Sequence, residues 1–411
     1  MSPIPPSPAL SPTRLLVAPH RLLFFIGTTN VLLAMAWWTA WLASARFGLQ
    51  GFAQPDLPAG WLHAFVMQYQ MLPSFMFGFL LTTFPKWTGL PEVDRWRYVP
   101  IGLGLFGGQI ATLLGAMGWD AGLAVGLWMT VAGWAVGLAT LGQLLWREQG
   151  QTWHARSCFA ALALGFIGLL AWLAFVLGLA SPMWVMASIK LGTFGLLVPV
   201  YFTVAHRMFP FFAGSSMTQT GYRPWRPLWL LAAAWPLLLA HLVLELVHAY
   251  DVLWVVDVPL LALTAGMLVR WWPRGDKPAL LTTLFLGFAW LPVAFALYAA
   301  QSLINATTGE FLLGRGPAHA LFIGFFGCLL VAMVTRVTQG HSGRALVMPK
   351  VALYAFVAIN VAAVLRIGAD ISTDGMAWNV AAGAAWLLAL TPWLARIGRI
   401  YLSPRADGRP G

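Results

Sequence analysis

Apolar stretches of about 20 residues, the length a helix needs to cross a hydrocarbon core of roughly 30 Å, recur along this chain from Leu22 to Leu402. They fall at about 22–44, 62–84, 98–117, 121–145, 157–180, 183–206, 227–248, 252–271, 279–304, 317–337, 350–369 and 376–401. With 60% hydrophobic and only 9% charged residues, against roughly 25% charged in a soluble domain, the chain is predicted to be a polytopic membrane protein. Alternation of apolar and polar residues at period two, which a transmembrane barrel requires, is absent, so the expected fold is an all-α bundle of twelve spans. No polar block between the stretches is long enough to fold alone. Residues 21–402 are therefore expected to form one membrane domain, preceded by a disordered tail over 1–20 and followed by a short tail over 403–411. The opening MSPIPPSPALSPT lacks the cleavage site of a signal peptide.

The distribution of Lys and Arg tests this division independently. Arg14 and Arg21, the even-numbered loops and the C-terminal segment together hold twenty of the 24 basic residues. Arg46, Arg315 and Arg366 fall on the opposite side, and Lys190 lies within the sixth stretch. Because cytoplasmic loops carry the basic excess, both termini are expected in the cytoplasm. Asp56, Asp120, Asp251, Glu310, Asp370 and Asp374 then lie outside. Topology also accounts for the net charge of +11: the basic residues are scattered singly rather than gathered in a stripe, so no nucleic-acid partner is expected. The partner implied for the whole surface is the lipid bilayer. Cys158 and Cys328 sit inside apolar stretches and read as packing residues. Small residues such as Gly102, Gly104, Gly107 and Gly108 would let helices approach closely.

Ionisable side chains at membrane depth are costly unless paired or wetted, which makes them the candidates for chemistry. His241, Glu245 and His248 at i, i+4 and i+7 project from one helical face and supply donors suited to copper or zinc. Lys190 comes to a similar depth, so a Lys190–Glu245 ion pair is an alternative reading compatible with the first. His63 and His319 open the second and tenth stretches at the same outer depth, near Met67, Tyr69 and Met71. That placement allows a bis-imidazole haem; an interfacial role for each histidine is the alternative. His20, His206 and His341 are expected near the inner surface with Arg21, Arg207, Arg336 and Arg344, a set that suits haem propionates or lipid phosphates, or simply fixes topology. His154, in the loop after the fourth stretch, is expected to be solvated and without a partner. No glycine-rich phosphate loop, CxxC or HExxH is present.

Three segments carry a resemblance: HAFVMQYQMLPSFMFGFLLTTFPKWTG at 63–89, AHRMFPFFAG at 205–214 and HALFIGFFGCLLVAMVTRVTQGHSGR at 319–344. Together with HRLLFFIG around Arg21, they resemble the signature segments of the NnrS family. The resemblance implies a bacterial inner-membrane protein associated with denitrification and nitric oxide tolerance, carrying haem and copper. Where the family commonly opens its second helix with His-Ala-His-Glu, this chain keeps only His63, with Phe65 and Val66 in the later positions. The twelve-span layout, with outer histidines on the second, seventh and tenth spans, is also similar to the main subunit of haem-copper oxidases. A full centre of that kind needs six histidine ligands. The outer half here offers His63, His241, His248 and His319, enough for one bis-histidine haem and a two-histidine, one-carboxylate metal position.

The leading expectation is thus a protein that relieves nitrosative stress by binding or converting nitric oxide, holding a haem b between His63 and His319 and copper or another transition metal at His241, Glu245 and His248. Reduction would require an electron donor. A transporter of a small metabolite, metal or haem is the alternative, since Pro73, Pro199, Pro236 and Pro292 could break their helices. A structural partner of a respiratory complex is a further one.

Overall fold

The computed structural model describes residues 10–49, 55, 57–217 and 221–409. Twelve of its helices are long and apolar enough to cross a membrane: α1 (Pro19–Phe47), α2 (Ala59–Thr88), α3 (Arg95–Ala116), α4 (Gly122–Arg147), α5 (Trp153–Val176), α6 (Pro182–Ser216), α7 (Leu228–Leu246), α8 (Trp254–Trp271), α9 (Ala279–Thr308), α10 (Gly316–His341), α11 (Lys350–Ala369) and α12 (Gly375–Leu402). No strand occurs among the described residues. Every expected span is matched by one of these helices, which differ from it mainly by extra turns at the ends.

The two ends of the chain meet on one side of the bundle. Ser11 N–H donates to the Leu402 carbonyl at 2.9 Å, and the Arg14 and Arg21 guanidiniums donate to the carbonyls of Leu402, Tyr401 and Ser403. We call this side the terminal end and the opposite side the far end. Residues 1–9 of the expected tail and Asp56 lie outside the described residues. From Leu10 onward, however, the tail is not loose: Pro12–Val17 forms a 3₁₀ turn with Leu15 buried, because the free carbonyls at the C-terminus of α12 recruit Arg14 and Arg21.

α1 packs against α2, α3 and α12, and α3 lies along α4. Glycine sets that last contact: a Cβ on Gly104 would stand 2.6 Å from the Gly133 Cα, and one on Gly108 would stand 2.4 Å from Thr130 Oγ1. Gly102 and Gly107 serve other neighbours, the side chains of Leu22 and Ile26 on α1 and of Met129 on α4.

α2, α6 and α10 are the most buried of the twelve, and each contains a π-helical segment: Val66–Met71, Leu191–Leu197 and Ala320–Gly327. In the first two the widened turn closes through Leu72 N–H to the Met67 carbonyl and Val198 N–H to the Thr193 carbonyl. Pro73 and Pro199 follow directly. Proline cannot donate to the ladder, and a widened turn before it relieves the clash with the preceding carbonyls. The polar side chains of the first segment are held by neighbouring helices, as burial in an apolar medium demands. Gln68 Nε2 donates to the Ile189 carbonyl at 3.2 Å and Thr193 Oγ1 at 2.9 Å, Gln70 Nε2 donates to Thr112 and Thr130, and Tyr69 Oη donates to the Ser188 carbonyl at 2.7 Å.

Candidate functional site

A cavity of about 800 Å3 opens among α1, α2, α6, α7, α9, α10, α11 and α12 in the far-end half of the bundle. Its walls include Trp38, Trp41, Trp386, Met67 and Met71, and its polar lining includes His63, His319, Lys190, Glu245, Arg315, Arg366 and Asn379. Helices 2, 7 and 10 thus share one space, reached by His63, Glu245 and His319.

Each histidine is fixed differently. His63, one turn into α2, stacks on Trp38 of α1 with ring centroids 4.2 Å apart and planes 10° from parallel. His319, at the start of α10, donates from Nδ1 to the Arg315 carbonyl at 2.9 Å. A carbonyl can only accept, so this bond places the proton on Nδ1 and leaves Nε2 with a free lone pair. Such an arrangement is the one that orients a ligating imidazole. Arg366 is paired with Asp370 at 2.8 Å, whereas no carboxylate pairs with Arg315 among the described residues.

Deeper in the wall runs a chain of four ionisable groups. Lys190 on α6 is ion-paired with Glu245 on α7. Glu245 Oε1 lies 3.6 Å from His241 Nε2, and His241 Nδ1 lies 2.6 Å from Asp257 Oδ1 on α8. His241 and Asp257 are fully buried, and the His241 ring is covered by Phe194 and Tyr298. Two basic and two acidic side chains balance one another's charge, as burial of charge requires, while His241 Nε2 and Asp257 Oδ2 keep no hydrogen-bond partner. Asp257 was not singled out from the sequence, although a carboxylate inside VVDVPLL carried the signal of an ionisable group at membrane depth.

The structure does not bring His248 to this chain. α7 ends at Leu246, so the i+7 projection fails: His248 sits past the helix in a left-handed conformation (φ 62°), stacks on Tyr250 and turns Nδ1 toward the Glu245 carbonyl at 3.3 Å. Among the described residues, no group of three or more His, Cys, Asp or Glu side chains is arranged to hold a metal ion.

At the terminal end the expected histidine cluster divides into two pairs. His20 and His341 pack with ring centroids 4.4 Å apart. His206 is joined instead to His154 through a 2.9 Å contact between His206 Nδ1 and His154 Nε2. This corrects the reading of His154 as a solvated loop residue: α5 begins at Trp153 rather than 157, which carries His154 into the bundle, where it is 6% exposed. His206 Nε2 donates to the Pro227 carbonyl at 3.1 Å, so its Nδ1 accepts from His154 Nε2. The remaining His154 Nδ1 faces Arg207 at 3.5 Å. Of the cations, Arg21 is spent on backbone carbonyls, Arg207 lies over Trp87 and Arg336 over Phe212, and Arg344 follows α10 in the adjoining loop.

A polytopic helical bundle with a large histidine-lined cavity is the class these features define. The sequence matches the family described as NnrS protein over residues 14–405, nearly its full length, and the chain belongs to the NnrS family. A comparison with curated proteins finds no match.

Proposed function

We propose that the far-end cavity holds a haem b, which His63 and His319 would ligate, and that the protein acts at the bacterial inner membrane in nitric oxide tolerance or denitrification by binding or converting nitric oxide. The observation that carries this reading is the pair itself: two imidazoles from different helices border one cavity, and one of them has its Nε2 freed by a hydrogen bond at Nδ1. The residues present fit the group. Tryptophan and methionine walls suit an apolar macrocycle, and Arg315, without a carboxylate of its own, can take a propionate in a bidentate contact. When bound, the haem would supply a redox-active iron, and a diatomic ligand would reach that iron only by replacing one of the two imidazoles.

The chain's own residues orient the ligands and manage charge. Trp38 holds the His63 ring by stacking, and the Arg315 carbonyl sets the His319 tautomer. Glu245 and Lys190 face the cavity, with His241 and Asp257 behind them, and this series can donate or accept a proton when the charge in the cavity changes. Copper, which the resemblance implies, finds no fitting donor set at His241 and Glu245: His248 turns away, and no group of three or more such side chains among the described residues is arranged to hold a metal ion.

The test is an absorbance spectrum of the purified protein after expression with ample haem. A Soret band that shifts on reduction and on addition of nitric oxide is expected, as is a fall in bound haem of about tenfold or more in His63→Ala and His319→Ala. Absence of the band in both redox states overturns the haem assignment.

A further inference from the structure

Several guanidiniums converge at the terminal end, and most have an evident task. Arg14 and Arg21 donate to the last carbonyls of α12. Arg405 donates to the His341 carbonyl at the end of α10 and holds Asp407 through Nε and Nη2. These bonds are the ordinary use of arginine at a helix C-terminus.

Arg344 and Arg396 are different. Each has its Nη1 shielded from solvent with no hydrogen-bond partner, and the two lie close enough for their charges to repel. A shielded, unpaired guanidinium N–H is costly. Asp407 is already committed to Arg405. Elsewhere in the bundle buried charges are balanced within the chain, as Lys190, Glu245, His241 and Asp257 show.

We propose that Arg344 and Arg396 form a binding site for the phosphate of an anionic membrane lipid. A phosphodiester carries the charge and the paired oxygens that a guanidinium fork matches. The position suits a headgroup: Arg344 lies just beyond α10, and Arg396 lies six residues before the end of α12, roughly 9 Å along the helix axis. The flanking surface suits the rest of the lipid. Leu346 and Val347 are exposed directly after Arg344, and Leu353, Val357 and Leu388 expose apolar side chains on α11 and α12, which Tyr354 ties together through its hydrogen bond to the Leu388 carbonyl. Free inorganic phosphate shares the anionic chemistry but has no use for this apolar flank.

The whole protein, delipidated in detergent, is titrated by native mass spectrometry with phosphatidylglycerol, with phosphatidylcholine and with inorganic phosphate alone, and thermal stability is read in parallel. Phosphatidylglycerol is expected to bind and to raise the melting temperature, and phosphatidylcholine to do so more weakly. In Arg344→Gln/Arg396→Gln the phosphatidylglycerol affinity should fall about tenfold, while Arg147→Gln, an exposed arginine on α4, should bind as the wild type does. If the glutamine pair does not fold, Arg344→Lys/Arg396→Lys keeps the charge and removes the fork, and an intermediate affinity is expected. Unchanged phosphatidylglycerol binding in the substituted protein overturns the site. Stabilisation by inorganic phosphate equal to that by phosphatidylglycerol overturns the lipid as its occupant.

Discussion

Lys190 on α6 and Glu245 on α7 form an ion pair in the cavity wall, yet the two are not equally placed: the Lys190 side chain is 26% exposed and that of Glu245 is 4% exposed. Removing either partner therefore leaves a different remainder. Glu245→Leu leaves an ammonium that reaches the cavity and can be wetted, whereas Lys190→Met strands a carboxylate with only His241 at 3.6 Å. We expect Lys190→Met to be the more destabilising, by about 3–5 kcal/mol. The double substitution should cost less than the two singles combined by about 1–3 kcal/mol. Unfolding of the four proteins in detergent measures the coupling, and simple additivity would show that the pair carries no interaction energy.

The glycines of the helix contacts allow one substitution to be compared at two places. At Gly108 a Cβ would meet Thr130 Oγ1 at 2.4 Å and the Gly126 carbonyl at 3.0 Å, whereas at Gly266 on α8 nothing lies within 4 Å. Thr130 cannot easily yield, because its hydroxyl donates to the Gly126 carbonyl and accepts from Gln70. Gly108→Ala should therefore destabilise by about 1–3 kcal/mol through overpacking. Gly266→Ala should be neutral or stabilising by up to about 1 kcal/mol, since alanine is the better helix former. Equal melting temperatures for the two variants would refute the close α3–α4 contact.

Acid should loosen the C-terminal segment before the bundle. Hydrogen bonds from Arg405 hold the Asp407 carboxyl well below the usual carboxylate range. A depressed value in the folded state means that the pair contributes fully above the ordinary carboxyl range of about 4 and that this contribution declines as pH falls from there toward the depressed folded value. Limited proteolysis should find the segment after Leu402 equally protected from about pH 5 to 8 and increasingly cleaved toward about pH 3. Asp407→Asn should be cleaved at all these values with no acid dependence of its own. A protein equally protected at the lowest pH would assign the anchoring to the backbone contacts alone.

The spans were legible because every one must supply about 20 apolar residues, a signal no tertiary contact can override. The His63 and His319 depths followed from the same count, and the Lys190–Glu245 pair from matching depths on neighbouring spans. What could not be read was whatever depends on helix ends and helix pitch. His154 joined His206 because α5 starts four residues earlier than hydropathy placed it, and His248 left the His241 face because α7 stops short of it. The π segments are invisible in composition, since a widened turn uses the same apolar residues as an ordinary one. The orphaned nitrogens of Arg344 and Arg396 exist only once the helices are packed.

Orientation across the bilayer rests on the bias of basic residues and is open to a direct measurement. Both native cysteines, Cys158 and Cys328, are fully buried, so the wild-type protein should resist a membrane-impermeant maleimide and provide a clean background. Asp120→Cys and Ser181→Cys place a thiol in exposed far-end loops, and Gln149→Cys places one in an exposed loop at the terminal end. If the proposed inner-membrane location holds and the basic terminal end faces the cytoplasm, intact cells with a permeabilised outer membrane should label the first two and spare the third until the inner membrane is broken. The reverse pattern would invert the protein and put the histidine-lined cavity on the cytoplasmic side, where reduced carriers rather than periplasmic ones would meet it first.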